Sequence, residues 1–212
     1  MPVSAIIPAY NEEKNVGNVL AVLKNVWEID EIIVVNDGSR DNTARTVDQF
    51  GVRLINLPRN MGKGAALKAG LDKCCSEYVL FLDADLVGLT ENHIRKLMAP
   101  VLSNSADMTI GVFRSGRVRT DWAQKICPYL SGQRAVRKAV LDNMKNMDMA
   151  GYGIEIALTK YIEKEKIKAL EVELDELTHI MKEEKLGVVR GLGHRMKMYW
   201  QIYRGLRLHR TH

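Results

Sequence analysis

Only three cysteines occur in the 212-residue chain, and no two are spaced as C-x-x-C. Cys74 and Cys75 are adjacent and Cys127 is remote, which argues against a disulfide framework or a structural zinc site. Buried or half-buried free thiols are expected instead. No apolar run approaches the roughly 20 residues needed to cross a bilayer, and the N-terminus shows no secretory signal pattern. The expected compartment is the cytoplasm. A Walker A motif is missing, and no G-x-G-x-x-G follows the first strand pattern, so P-loop and dinucleotide-binding folds are disfavoured. There is no internal repeat and no disordered linker.

From Arg190 onward there is no Asp or Glu. Arg190, Arg195, Lys197, Arg204, Arg207 and Arg210 lie in this tail, and they account for the net charge of +5. Without them the body is close to neutral, and it shows no RNA- or DNA-binding motif, so a nucleic-acid partner is not expected. Tyr199, Ile202, Tyr203 and Leu206 would share one helical face. Such a basic amphipathic segment suits an anionic membrane surface. The alternative is packing on the body or on a second copy in a homodimer. The expected organisation is a single catalytic domain over 1–190, with halves 1–115 and 116–190, and a tail over 191–212.

Strand and helix patterns alternate through the first half. VSAIIPAY (3–10), EIIVVND (31–37), VRLINL (52–57), YVLFLD (78–83) and DMTIGVF (107–113) read as strands. Val16, Val19, Leu20 and Leu23 recur at helical spacing. Asp41 or Asn42 suits a cap for a short helix ending near Phe50. Gly64–Cys74 reads as helix, and Thr90 suits a cap for a helix through Leu102. Later, Gln133–Met144 and Ile154–Lys166 read as helices and ALEVEL (169–174) as a strand. Strands separated by single helices predict an α/β fold with a mostly parallel sheet flanked by helices. Ligands then bind at the carboxyl ends of the strands. The polar clusters fall there: Ala9-Tyr10-Asn11-Glu12, Asn36-Asp37-Gly38-Ser39 and Asp83-Ala84-Asp85.

Two aspartates ending a buried strand need compensation. Asp83 and Asp85 point the same way from an extended stretch. Hard divalent cations such as Mg²⁺ or Mn²⁺ take carboxylate and phosphate oxygens together, so the pair suits a metal on a phosphorylated ligand. The plain alternative is a pair of turn or cap aspartates. Asp37 suits an acceptor for nucleobase N–H groups, or else an Asp-Gly turn. Asn60-Met61-Gly62-Lys63-Gly64 looks like a phosphate-facing loop before a helix N-terminus, or else Lys63 is a solvated loop lysine.

In this order, these motifs resemble the GT-A glycosyltransferases, and family 2 among them. The match rests on Ile7-Pro8-Ala9-Tyr10-Asn11-Glu12-Glu13, on Val35-Asn36-Asp37-Gly38-Ser39 with Asp41 and Thr43, on Gly62-Lys63-Gly64, and on Asp83-Ala84-Asp85-Leu86. The resemblance implies a nucleotide-sugar site lined by Pro8, Ala9, Tyr10, Glu12, Asp37, Lys63, Asp83 and Ala84. It implies a metal, Mg²⁺ or Mn²⁺, on Asp85. Gly116-Arg117-Val118-Arg119-Thr120, Gly132-Gln133-Arg134 and Gly151-Tyr152-Gly153-Ile154-Glu155 are similar to segments of glucosyl-3-phosphoglycerate synthases. That likeness implies acceptor binding by Gly116, Arg117 and Thr120, and His179 as a second metal ligand. Asp85, Glu155 and Arg134 are then the expected catalytic residues, Glu155 orienting sugar or acceptor hydroxyls.

The implied reaction moves a hexose from a nucleoside diphosphate sugar, UDP-glucose before a GDP-sugar, to a small phosphorylated or lipid-linked acceptor. The likeness favours retention of configuration. Inverting polyprenyl-phosphate mannosyl- and glucosyltransferases share the donor motifs and would use the tail at a membrane surface. A non-catalytic nucleotide-sugar-binding protein is the alternative of another class, opposed by the intact Asp83, Asp85, Lys63 and Asp37. A nucleotidyltransferase is disfavoured because Pro8–Glu13 stands where its glycine-rich basic loop would be. Hydrolysis is disfavoured because the carboxylate pair serves a metal.

Overall fold

The structure, a computed structural model, describes residues 1–113, 132–143 and 164–179. Strand β1 (Val3–Ala9) lies between β2 (Glu31–Asn36) and β4 (Tyr78–Phe81) and runs parallel to both. β3 (Arg53–Asn56) continues the sheet beyond β2, again parallel. The pleat sends alternate side chains to opposite faces. Val3, Ala5, Ile7 and Ala9 enter the core on one face, and Ile6 the core on the other. With both faces covered, the strand reads as a continuous apolar run.

Helices cover both faces. α1 (Val16–Lys24) buries Val16, Val19, Leu20 and Leu23, the face expected from their spacing. Each such side chain contributes roughly 1.5–3 kcal/mol when fully buried. α2 (Thr43–Asp48) adds Val47 to the same core. α3 (Lys63–Leu71) covers the opposite face with Ala66 and Leu67. Its Gly70 sits so close to β1 that a Cβ there would lie 2.5 Å from Ile6 Cγ2. The short strand β5 (Leu86–Val87) follows β4. α4 (Glu91–Leu102) returns to the first face through Ile94, Leu97, Met98 and Val101. Thr90 caps it as expected, its hydroxyl accepting from the His93 N–H at 3.3 Å.

One expected helix is overturned in part. Arg134–Arg137, the start of the helix read over Gln133–Met144, is strand β7, and only α5 (Lys138–Asn143) is helical. β7 pairs antiparallel with β4 on one side and with β6 (Met108–Phe113) on the other. Ala135 is buried on one face of the sheet and Val136 on the other, the signature of a central strand. Pairing on both edges outweighs the local helical pattern. β8 (Ala169–Leu174) lies parallel to β6 and completes the order β3-β2-β1-β4-β7-β6-β8. The sheet is thus mostly parallel, with helices on both faces.

Cys74 is buried, but Cys75 is exposed, against the expectation of buried or half-buried thiols. Residues 1–178 form one unit, and residues 179–212 separate as a second. A last short strand, β9 (Thr178–His179), spans that boundary. The helix expected over Ile154–Lys166 lies almost wholly outside the described residues, as do Gly116, Arg117, Thr120, Cys127, Glu155 and the basic tail. Among the described residues, no helix is long and apolar enough to cross a membrane.

Candidate active site

Parallel β1, β2 and β4 end at one edge of the sheet, and Pro8, Ala9, Tyr10, Glu12, Asp37, Asp83, Ala84 and Asp85 lie at or just beyond those strand ends. Asn36 closes β2 opposite Ala9 of β1. The loops after these two strands are tied by a dense set of hydrogen bonds. Asn11, in the left-handed region at φ 56°, donates its N–H to Ser39 Oγ at 2.9 Å and accepts from the Arg40 N–H at 2.8 Å through Oδ1. The Glu12 N–H donates to Thr43 Oγ1 at 2.8 Å, and the Glu13 N–H to Asp41 Oδ2 at 3.1 Å. Thr43 Oγ1 donates in turn to Asp41 Oδ1 at 2.5 Å. Asn11, Ser39, Asp41 and Thr43 therefore hold two loops in register. Their motif signal is, first of all, a structural one.

Asp41 shows the electrostatic consequence. Partial burial pushes its carboxyl up, but the hydrogen bonds from Thr43 and the Glu13 N–H outweigh this and hold it below the ordinary 3.8.

Asp37 is 3% exposed, and both its oxygens are engaged. Oδ1 accepts from the Met61 N–H at 2.7 Å and Oδ2 from the Gly62 N–H at 2.9 Å. The carboxylate thus organises the loop before α3. Gly38 completes this junction. Its φ is +66°, and a Cβ there would lie 2.4 Å from the Arg59 carbonyl carbon. Gly62, at φ 92°, then turns the chain into α3 and places Lys63 at its first position.

Lys63 Nζ lies 2.7 Å from Asp83 Oδ1. Gln133 Nε2 donates to Asp83 Oδ2 at 3.1 Å. Gln133 is fully buried, whereas the Lys63 side chain is 38% exposed. Gly132 leaves room for the pair: a Cβ there would lie 2.5 and 2.6 Å from the Asp83 oxygens and 2.6 Å from Lys63 Nζ. So much of the compensation for Asp83 comes from within the chain. Ala84 is buried, and Asp83 and Asp85 are half-buried. Pro8 is half-buried, Ala9 is buried and Tyr10 is exposed at the same edge. Arg134 is 2% exposed on β7, opposite Phe81.

The donor set at the end of β4 consists of hard carboxylate oxygens, which fits Mg²⁺ or Mn²⁺. Among the described residues, no three His, Cys, Asp or Glu side chains stand together as a metal cage. A cation here would take few protein ligands and complete its shell with phosphate oxygens and water, as Mg²⁺ commonly does. A Cβ at Gly88 would lie 2.6 Å from the Glu176 carbonyl oxygen, so the turn at Asp175–Glu176 packs on the loop following Asp85. The side chain of His179 lies outside what the structure describes.

Gly132 and Gln133 are the contributors that sequence reasoning missed. They belong to the Gly-Gln-Arg segment, whose sequence signal is the arginine and a helical pattern starting at Gln133.

A mostly parallel sheet of this order, flanked by helices, is a GT-A fold. The sequence profile described as glycosyl transferase family 2 matches residues 4–154, and the chain belongs to that family. It is 43% identical to a dolichyl-phosphate beta-glucosyltransferase of Trichomonas vaginalis, over 45% of this chain and 36% of the relative. It is 33% identical to the undecaprenyl-phosphate 4-deoxy-4-formamido-L-arabinose transferase of Pseudomonas fluorescens, over 66% of this chain and 44% of the relative. The chain therefore spans less than half the length of these two proteins. Among solved structures, it is similar to glucosyl-3-phosphoglycerate synthase from Mycobacterium tuberculosis in complex with Mn²⁺ and UDP-glucose. The TM-score is 0.72 at 25% identity, covering 84% of this chain and 71% of that one. The same synthase with Mg²⁺ and UDP gives a TM-score of 0.70 at 26% identity, again covering 84% and 71%.

Proposed function

We propose that this chain carries the donor site of a metal-dependent hexosyltransferase that uses a nucleoside diphosphate sugar, UDP-glucose before a GDP-sugar. The observation that carries the reading is the Lys63–Asp83 pair at the end of β4, beside the loop pinned by Asp37. Pro8, Ala9, Tyr10, Glu12 and Asp37 would line the base and ribose. Each Asp37 oxygen already serves one backbone N–H, and a carboxylate oxygen can accept a second donor. Lys63 and the N-terminus of α3 present positive charge to the diphosphate. Asp83, held on both oxygens, would meet the ribose, with Ala84 packed below.

Asp85 would hold Mg²⁺ or Mn²⁺, with His179 as the second protein ligand. The ion would neutralise charge developing on the departing diphosphate. Arg134 would add buried positive charge nearby, and Glu155 would orient sugar or acceptor hydroxyls. Gly116, Arg117 and Thr120 would hold the acid or phosphate group of the acceptor.

Relatives divide over the acceptor. The names of the sequence relatives point to polyprenyl phosphates, and the solved structures to 3-phosphoglycerate. A phosphorylated acceptor is common to both. The higher identities favour the lipid branch, in which the tail from Arg190 would contact the membrane.

The test is a thermal-shift panel of UDP-, GDP-, ADP- and dTDP-sugars, each with Mg²⁺, Mn²⁺ or chelator. Wild type and Asp85→Ala are compared. A ligand at ~100 times its Kd stabilises by roughly 2.7 kcal/mol. A metal-dependent shift with one nucleotide class, lost in Asp85→Ala, is expected. No shift with any of them would sink the donor-site reading. Turnover with 3-phosphoglycerate against a polyprenyl phosphate, before and after removal of residues 191–212, then separates the acceptors.

A further inference from the structure

Lys63 and Gln133, both partners of Asp83, differ in kind. Gln133 is fully buried immediately before central strand β7, and it donates to Oδ2. Lys63 reaches Oδ1 from the first position of α3, on a flexible four-carbon stem that is 38% exposed. The Asp83 side chain is 18% exposed and cannot follow the lysine outward without losing Gln133. So the anion is anchored from the buried side, and the cation reaches it on a part-exposed stem. Gly132 presents no side chain to obstruct that exchange, since any Cβ would lie 2.6 Å from Nζ.

A lysine next to a carboxylate subtracts positive charge capacity from any cation site sharing that carboxylate. Asp83 and Asp85 are two residues apart, so a cation near one feels the other. With Lys63 on Asp83, a divalent ion meets a weakened anionic site. A nucleoside diphosphate arriving at the α3 N-terminus offers Lys63 a competing, more highly charged partner. If Lys63 transfers to it, the charge that Lys63 offset on Asp83 is returned to the ion.

We propose that Lys63 is an exchangeable counter-ion that makes divalent-cation and nucleotide binding interdependent, with Gln133 holding Asp83 in place while the lysine changes partner. The nucleotide part rests on the donor-site reading above. The cation part does not, because it rests on the Lys63–Asp83 ion pair itself. The chain then resists a divalent ion until the diphosphate is present, and the two load together. Binding linkage is reciprocal, so the ion favours the nucleotide by the same factor.

The test is a titration of the intact chain with Mn²⁺, free ion being followed by its electron paramagnetic resonance signal, with and without UDP. Wild type, Lys63→Met and Lys63→Arg are compared, after circular dichroism has shown that all three fold alike. Lys63→Met should bind Mn²⁺ alone about tenfold more tightly than wild type, since a neutral side chain leaves the carboxylate charge undiminished. Lys63→Arg should bind Mn²⁺ alone as wild type does. UDP should raise Mn²⁺ affinity by a larger factor in wild type than in Lys63→Met. Equal Mn²⁺ affinities in the absence of UDP, or no Mn²⁺ binding to either protein, overturn the counter-ion role, and a UDP effect that persists in wild type would then leave the donor reading standing. Tighter Mn²⁺ binding by Lys63→Met with no UDP effect in wild type overturns the exchange together with the donor reading.

Discussion

Phe81 and Arg134 face each other across the antiparallel ladder of β4 and β7, and this pairing decides what meets Asp83. Two steps forward along β4 and two back along β7 bring Gly132 against the carboxylate, within 2.6 Å of where a Cβ would stand. The obstructed atoms are the ends of Asp83 and Lys63, not backbone. Gly132→Ala should therefore change stability by less than about 1 kcal/mol while parting the ion pair. Denaturant unfolding is expected to be close to wild type, with Mn²⁺ alone bound more tightly, as in Lys63→Met. A variant that unfolds easily, or binds Mn²⁺ no better than wild type, would contradict this.

Asp37→Asn probes the loop before α3. Asparagine offers one acceptor oxygen where the carboxylate offers two, so either Met61 or Gly62 loses its partner. The expected cost is about 1–3 kcal/mol. Hydrogen exchange should accelerate at the Met61 and Gly62 amides before it does so in β1 or β2. Uniform protection across the chain would show that the loop is held by something else.

Gly38→Ala should be among the most damaging small substitutions in the chain. A left-handed backbone costs an L-residue roughly 1–2 kcal/mol. The added methyl also meets the backbone of Arg59 and Asn60 at 2.4–2.6 Å, and backbone cannot swing aside. A loss of at least about 2 kcal/mol is expected in urea titrations. Gly62→Ala is the control: its φ is also positive, but nothing lies within 4 Å.

Acid should loosen the same edge of the sheet. Asp41 is held below its ordinary pKa of 3.8 in the folded chain. Its contribution to stability is thus complete above that value and disappears as the pH falls through the lower folded value. Melting temperatures of wild type and Asp41→Asn should differ most at neutral pH and converge below pH 3.8. A constant difference across that interval would mean that the Thr43 and Glu13 bonds do not depend on the charge.

The legibility of this chain follows the range of its interactions. Strands β1, β2 and β4 were readable because a strand covered on both faces must be apolar throughout, and their ends were readable because charge cannot continue into such a core. The carboxylates at 37, 83 and 85 are thus legible from sequence as charges at strand ends. What they touch was less legible. Asp37 depends on residues 61 and 62, and Asp83 on residues 63 and 133, partners fixed only once strands are ordered. β7 was misread as helix for the same reason: four residues carry little period of their own, and their two flanking strands lie far off in the chain. Asp41 and Thr43 lie in one loop after β2, and their oxygens serve each other and the Glu12 and Glu13 amides of the loop after β1, contacts that no local pattern announces.

Asp37 grips residues 61 and 62 by their amides and not by their side chains. That arrangement separates the shape of the rim from its identity. Any residue but proline can stand at position 61 and still donate the N–H that fixes the loop. The exposed side chain at position 61 can therefore drift in size, polarity and charge while the backbone beneath it stays where it is. In evolutionary terms, position 61 is a place where surface chemistry can be rewritten without refolding, and a library varied there would sample side chains at nearly constant architecture.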